Sequence, residues 1–120
     1  MALRGKIAVQ ENINIATEGT YVELVKVAGK GILKGLSYGS GSSQITHSLQ
    51  MTLDGSVSEI SLGELSRSLA STSGGIWGTA GSDRGQLVLN LPFQTGFTIK
   101  IRRDSSGTSY YGTILWAVEE

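Results

Sequence analysis

The amino-acid sequence predicts an all-β antiparallel sandwich, jelly-roll-like, with at most one short helix. Three observations carry this expectation. From Gln86 to Val118, three segments alternate apolar and polar residues with a period of two, the pattern of strands whose successive side chains point to opposite faces. Asp54-Gly55 lies between two further alternating segments and is a strong hairpin signal, because a type I′ turn needs positive φ at both central residues. The chain has 17 glycines and a single proline in 120 residues. That glycine content is about twice the ordinary one and suits short strands joined by tight turns.

The elements follow in order. Residues 1–11 form an N-terminal arm that offers a short edge strand at Ile7 to Val9. Ile13 and Ile15 alternate with Asn12 and Asn14, and Glu18-Gly19 turns the chain. Residues 20–28, TYVELVKVA, are rich in β-branched and aromatic types. Gly29-Lys30-Gly31 separates them from ILKGLSY at 32–38, so the two segments read as a hairpin. GSGSS at 39–43 is a flexible loop too short to join two domains. In ITHSLQMTL at 45–53, Ile45, His47, Leu49, Met51 and Leu53 share a face. A two-residue loop at Asp54-Gly55 then sets Leu53 against Ser56, Met51 against Ser58 and Leu49 against Ile60, with Thr52 against Val57 and Gln50 against Glu59. Leu62, Leu65 and Leu69 recur at helical spacing, with Ser61 and Glu64 placed to cap, so 61–70 is the helical candidate. Residues 71–85 form a long glycine-rich loop carrying Ile76 and Trp77. Loops of that length inside a compact domain are often functional.

Three strands close the chain. Leu87, Leu89, Leu91 and Phe93 share one face, as do Phe97, Ile99 and Ile101, with Thr98, Lys100 and Arg102 opposite. Tyr110, Ile114, Trp116 and Val118 share a third. Strands so closely spaced are expected to pair in one antiparallel sheet. Phe97, Ile99, Ile101, Leu87, Leu89, Leu91, Ile114 and Trp116 are the expected core. The length fits one domain over residues 1–120.

Composition narrows the chemistry. There is no cysteine, which removes disulfides and thiolate metal sites. Ten basic and ten acidic residues balance, whereas a nucleic-acid binder shows a basic patch or stripe. The one basic cluster, Lys100, Arg102 and Arg103, ends a strand and reads as a solvated face. No segment reaches the roughly 18–20 apolar residues of a membrane span, and MALRGKIAVQENINI carries no signal-peptide core. The single histidine, His47, lies on the apolar face of its strand, which suits a core histidine better than a catalytic one. No nucleophile sits near a base, no calcium-loop spacing occurs, and the glycine-rich stretches lack a phosphate-loop ending. The expectation is therefore no enzymatic activity, no cofactor, no metal, no nucleic-acid partner and no membrane partner.

Association remains. Trp77 either tucks onto its own core or meets a partner, and tryptophan is enriched at interface hot spots. Tyr110 and Tyr111 are adjacent, so in a strand one points inward and the other faces solvent or another chain. Ile7 and Val9 give the arm an apolar edge. Ile7, Val9, Ile76, Trp77 and Tyr111 are thus the expected interface residues of a homo-oligomer.

Four stretches together resemble a known group: TYVELVKVAGKGILKGLSYGSG, LQMTLDG, LNLPFQTGFTIKIRR and YYGTILWAVE. Their layout, over roughly residues 20–118, is similar to that of small β-rich virion structural proteins of tailed bacteriophages. The resemblance implies a jelly-roll-like sandwich and a non-enzymatic place on the virus particle, as head decoration, fibre or tail-associated subunit. It implies assembly in the host cytoplasm, contacts with other virion proteins, and a trimer or larger ring. It assigns no role to residues 71–85. The alternative is a carbohydrate- or receptor-binding β-sandwich module, with a host surface glycan as partner.

Overall fold

A computed structural model describes residues 2–13, 19–40, 47–62, 78–80, 84–104 and 110–119. These form nine strands: β1 (Leu3–Ile13), β2 (Val22–Ala28), β3 (Gly31–Ser40), β4 (His47–Leu53), β5 (Ser56–Ser61), β6 (Gly78–Ala80), β7 (Arg84–Phe93), β8 (Gly96–Arg103) and β9 (Tyr110–Glu119). They build two antiparallel sheets, one in the order β1-β9-β3-β7-β6 and one in the order β2-β8-β4-β5. From β1 to β4, and again from β7 to β9, the chain changes sheet at every connection. This two-sheet alternation is the jelly-roll arrangement, in which sequence neighbours face each other across the core.

That topology corrects two expectations. The segments at 20–28 and 32–38 do not form a hairpin: β2 pairs with β8, while β3 pairs with β7 and β9. Nor do β7, β8 and β9 share one sheet. Apolar alternation reports that a strand has a buried face, but it is silent on the partner. The Asp54-Gly55 hairpin does pair as its turn requires, with Leu53 opposite Ser56, Met51 opposite Ser58 and Leu49 opposite Ile60. Its turn has φ of 48° at Asp54 and 88° at Gly55.

Two further expectations change, and a third lies largely outside the described residues. The arm is not a short strand at Ile7 to Val9 but one long edge strand, Leu3–Ile13. The stretch at 71–85 is not all loop, since Gly78–Ala80 pairs with β7 and β7 itself begins at Arg84. Ser61 closes β5, and the 61–70 helical candidate lies outside the described residues beyond Leu62.

The core lies between the sheets. Leu33, Leu36, Phe93 and Ile114 come from one, and Leu49, Met51, Phe97, Ile99 and Ile101 from the other. Phe97 makes edge contacts with Phe93 at 5.0 Å and Trp116 at 5.7 Å, so one ring ties β8 to β7 and β9. Leu87, Leu89, Leu91 and Trp116, expected as core, are only partly buried against this cluster.

Local devices set the register. Between Leu33 and Gly35, β3 carries one residue more than β9, because Leu33 faces Trp116 and Gly35 faces Leu115. This bulge at Lys34 shifts the inward set from Leu33 to Leu36 and Tyr38, which is why ILKGLSY does not alternate strictly. At one end of the sandwich three turns meet. The Asp54 carboxylate accepts N–H bonds from Gln94, Thr95 and Gly96 at 2.8–3.2 Å and the Thr95 hydroxyl at 3.0 Å. Gly29 N–H donates to the Thr95 carbonyl at 3.0 Å. The donors around Asp54, the Thr95 N–H first, hold its pKa at about 2.

Candidate interaction surface

The two sheets carry opposite chemistry on their outer faces. Across the four-stranded sheet the register lines up Glu23, Lys100, Gln50 and Glu59. Gln50 Nε2 donates to Glu59 at 3.3 Å. Arg102 lies over the Tyr21 ring at 4.9 Å, and its Nε donates to Asp104 at 2.7 Å. Ser48 also donates to Asp104. Lys100 and Arg102 are therefore interleaved with acids, while Arg103 pairs in register with the buried His47 on the other face.

The outer face of the five-stranded sheet is largely apolar, crossed by one polar row of Thr113, Ser37 and Gln86. Strand pairing puts Ile7 beside Leu115, Leu115 beside Gly35, and Gly35 beside Val88. Leu3, Val9 and Tyr111 fall on the same face by parity. Six of the eight exposed large hydrophobics among the described residues lie here, with Ile7 60% and Val88 54% exposed. Single exposed apolar residues are ordinary, but a contiguous group marks an interaction site. At the centre no side chain rises from Gly35, and a depression of about 580 Å³ opens there between Leu115 and Val88.

β1 shows the effect most plainly. Its inward parity holds Arg4, Lys6 and Ala8, of which Ala8 packs on the core. Its outward parity holds Leu3, Gly5, Ile7 and Val9. A strand whose apolar side faces solvent is patterned for cover on that side. β1 is also a sheet edge, with backbone groups directed away from β9.

Of the expected interface residues, the fold brings Ile7, Val9 and Tyr111 to this one face. Ile76 and Trp77 lie outside the described residues. Tyr111 is exposed, while Tyr110 is buried beside His47, ring centres 5.6 Å apart, and burial pushes its hydroxyl pKa well up. Leu3, Val88 and Leu115 also belong to the face and were missed. For Leu115 a signal existed: Ile114 to Val118 is apolar at five consecutive positions, as in strands covered on both sides.

Among the described residues no group of three or more His, Asp or Glu side chains could hold a metal ion, and no helix is long and apolar enough to cross a membrane. No protein-family model matches the chain, and no curated protein sequence matches it.

Proposed function

We propose that the protein is a non-enzymatic structural subunit of a bacteriophage virion, a head decoration, fibre or tail-associated protein. It acts through homo-oligomeric contacts, as a trimer or larger ring, and through contacts with capsid or tail proteins. The observation that carries this reading is the apolar outer face of the five-stranded sheet, bordered by the long edge strand β1. A domain that lived alone would cover or charge such a surface. The resemblance of residues 20–118 to small phage structural proteins supplies the virion. The fold itself does not choose, since jelly rolls serve both viral coats and lectins. A glycan-binding module has less support, because Tyr110 and Tyr111 point to opposite faces and leave one exposed ring rather than a stacking pair.

The test is mass spectrometry of gradient-purified, protease-treated virions from cells that express the chain from its own phage. Peptides of this protein at a fixed ratio to the major capsid or tail protein support the reading. Their absence from particles, with abundant protein left free in the lysate, refutes it.

A further inference from the structure

We infer that two copies of the chain pack the outer faces of their five-stranded sheets together about a two-fold axis. The axis runs parallel to the strands, midway between β9 and β3. This names one partner, a second copy, and rests on the assembly reading above.

The face is complementary to itself about this axis. Such an axis lays β9 of one copy over β3 of the other, and β1 over β7. Each β9 side chain then sits above the residue it already neighbours in its own sheet, supplied by the second copy. The contact gains where those neighbours are unlike in size or charge, as they are at three of the four outward pairs in register, Thr113 with Ser37 being the exception. Leu115 is in register with Gly35, and Tyr111 with Gly39. Each is a large side chain beside a position with none, so each becomes a knob over the other copy's hole. Ala117 is in register with Ile32, small beside large in the reverse sense. At the end of the same strands Glu119 pairs with Lys30, Oε1 to Nζ 3.9 Å. Exchange across the axis keeps opposite charges facing.

In the outer strands Ile7 lands over Val88 of the second copy, apolar on apolar, Gly5 over Pro92, and Val9 over Gln86. An isologous contact requires this reciprocity, in which residue i meets j and j meets i. A parallel axis running along β9 would instead set Leu115 on Leu115, and one along β3 would set Gly35 on Gly35.

The area is adequate. Four strands at about 4.8 Å spacing and ten residues at about 3.3 Å rise span about 600 Å² per copy. Both copies together bury about 1,200 Å², the lower end of the range for specific interfaces. The contact is therefore reversible and concentration-dependent. Lys34, exposed at the bulge and bordering the depression, works against it, because the two-fold brings two like charges near the axis. The two-fold closes on itself, so a trimer or ring is built through a separate contact, for which β1, at the sheet edge among the described residues, is placed.

The experiment is sedimentation equilibrium of the full chain across dilution, with circular dichroism and melting to verify each variant's fold. Wild type shows reversible, concentration-dependent association whose first step is a dimer. Leu115→Lys, Ile7→Glu and Val88→Lys each weaken it by about tenfold or more, since each buries an unpaired charge in the contact. The double variant Ile7→Glu with Val88→Lys recovers most of that loss. Its new carboxylate faces the new ammonium of the other copy, whereas within one copy the two positions lie three strands apart, about 14 Å. Lys34→Met acts in the opposite direction and tightens association, a readout that does not depend on the other variants folding. Oligomers that ignore Leu115→Lys, or a double variant no better than the worse single, overturn this contact and leave the virion reading standing. A wild type monomeric at every concentration also overturns it, and the virion reading falls only if the chain is absent from purified particles as well.

Discussion

Phe97→Ala removes the ring that joins the two sheets. Phe97 is 2% exposed, and it meets Phe93 and Trp116 edge-on from the opposite sheet. Truncating a buried phenylalanine to alanine costs about 3–5 kcal/mol, from lost transfer energy and the cavity left behind. Each aromatic pair adds about 0.5–1.5 kcal/mol beyond its area. Both pairs are lost here, and neither Phe93 nor Trp116 can close the gap while pinned in its own strand. The expected loss is therefore in the upper half of that range, about 4–5 kcal/mol, against a total stability of roughly 5–15 kcal/mol for a domain. At about 4 °C per kcal/mol for a chain of this size, the melting temperature falls by about 15–20 °C. Urea denaturation followed by tryptophan fluorescence and circular dichroism gives the measurement. A double-mutant cycle with Trp116→Leu isolates the pair, with an expected coupling of about 0.5–1.5 kcal/mol. A melting temperature lowered by less than about 3 °C would refute the inter-sheet role assigned to this ring.

Asp54→Asn keeps the turn geometry but removes the charge that gathers the Gln94, Thr95 and Gly96 amides. The folded pKa of about 2 lies below the ordinary 3.8, so the charge stabilises fully above that ordinary value and is lost as pH falls through 2. Wild type should melt above the variant at pH 7, and the gap should close towards pH 2 in acid melts. Gly85→Ala places a Cβ against the Tyr38 phenol ring. It should cost about 1–3 kcal/mol by overpacking, and Tyr38→Leu in the same chain should recover part of that loss. Val57→Ala, at an exposed position on the polar outer face, should change stability by no more than about 0.5 kcal/mol. A larger effect would mean that this face, too, is covered.

What was legible in the sequence depended on how far apart the interacting residues lie. The β4–β5 register was readable because its turn is two residues long, and a two-residue turn admits few pairings. The inward faces of β8 and β9 were readable because Phe97, Ile99 and Ile101, and Tyr110 and Ile114, keep a period of two and are buried. The partners of β2 and β3 were not. A short glycine turn reads the same whether it returns the chain along its own sheet or carries it across the core. The long-range pairs that decide between these, such as Val27 with Phe97 and Leu36 with Ile114, have no local signature.

The apolar outer face was half legible, and the reason is again alternation. Period-two reasoning assigns one face of a strand to the core and lets the other go to solvent. In β9 that reasoning kept Ile114 and Trp116 and overlooked Leu115, although the run Ile114 to Val118 has no polar member. In β1 it marked Ile7 and Val9 as an apolar edge, and they project not inward but onto the outer face beside Leu115 and Thr113. The two strands pair with each other, so their outward apolar residues add to one surface rather than to two scattered patches. Gly35 completes it from β3, where the Lys34 bulge shifts which positions point out. A conserved period along β3 would have turned Leu36 onto that surface and taken it from the core, closing the depression. The bulge therefore both fills the core and keeps the hole that a second copy's Leu115 requires.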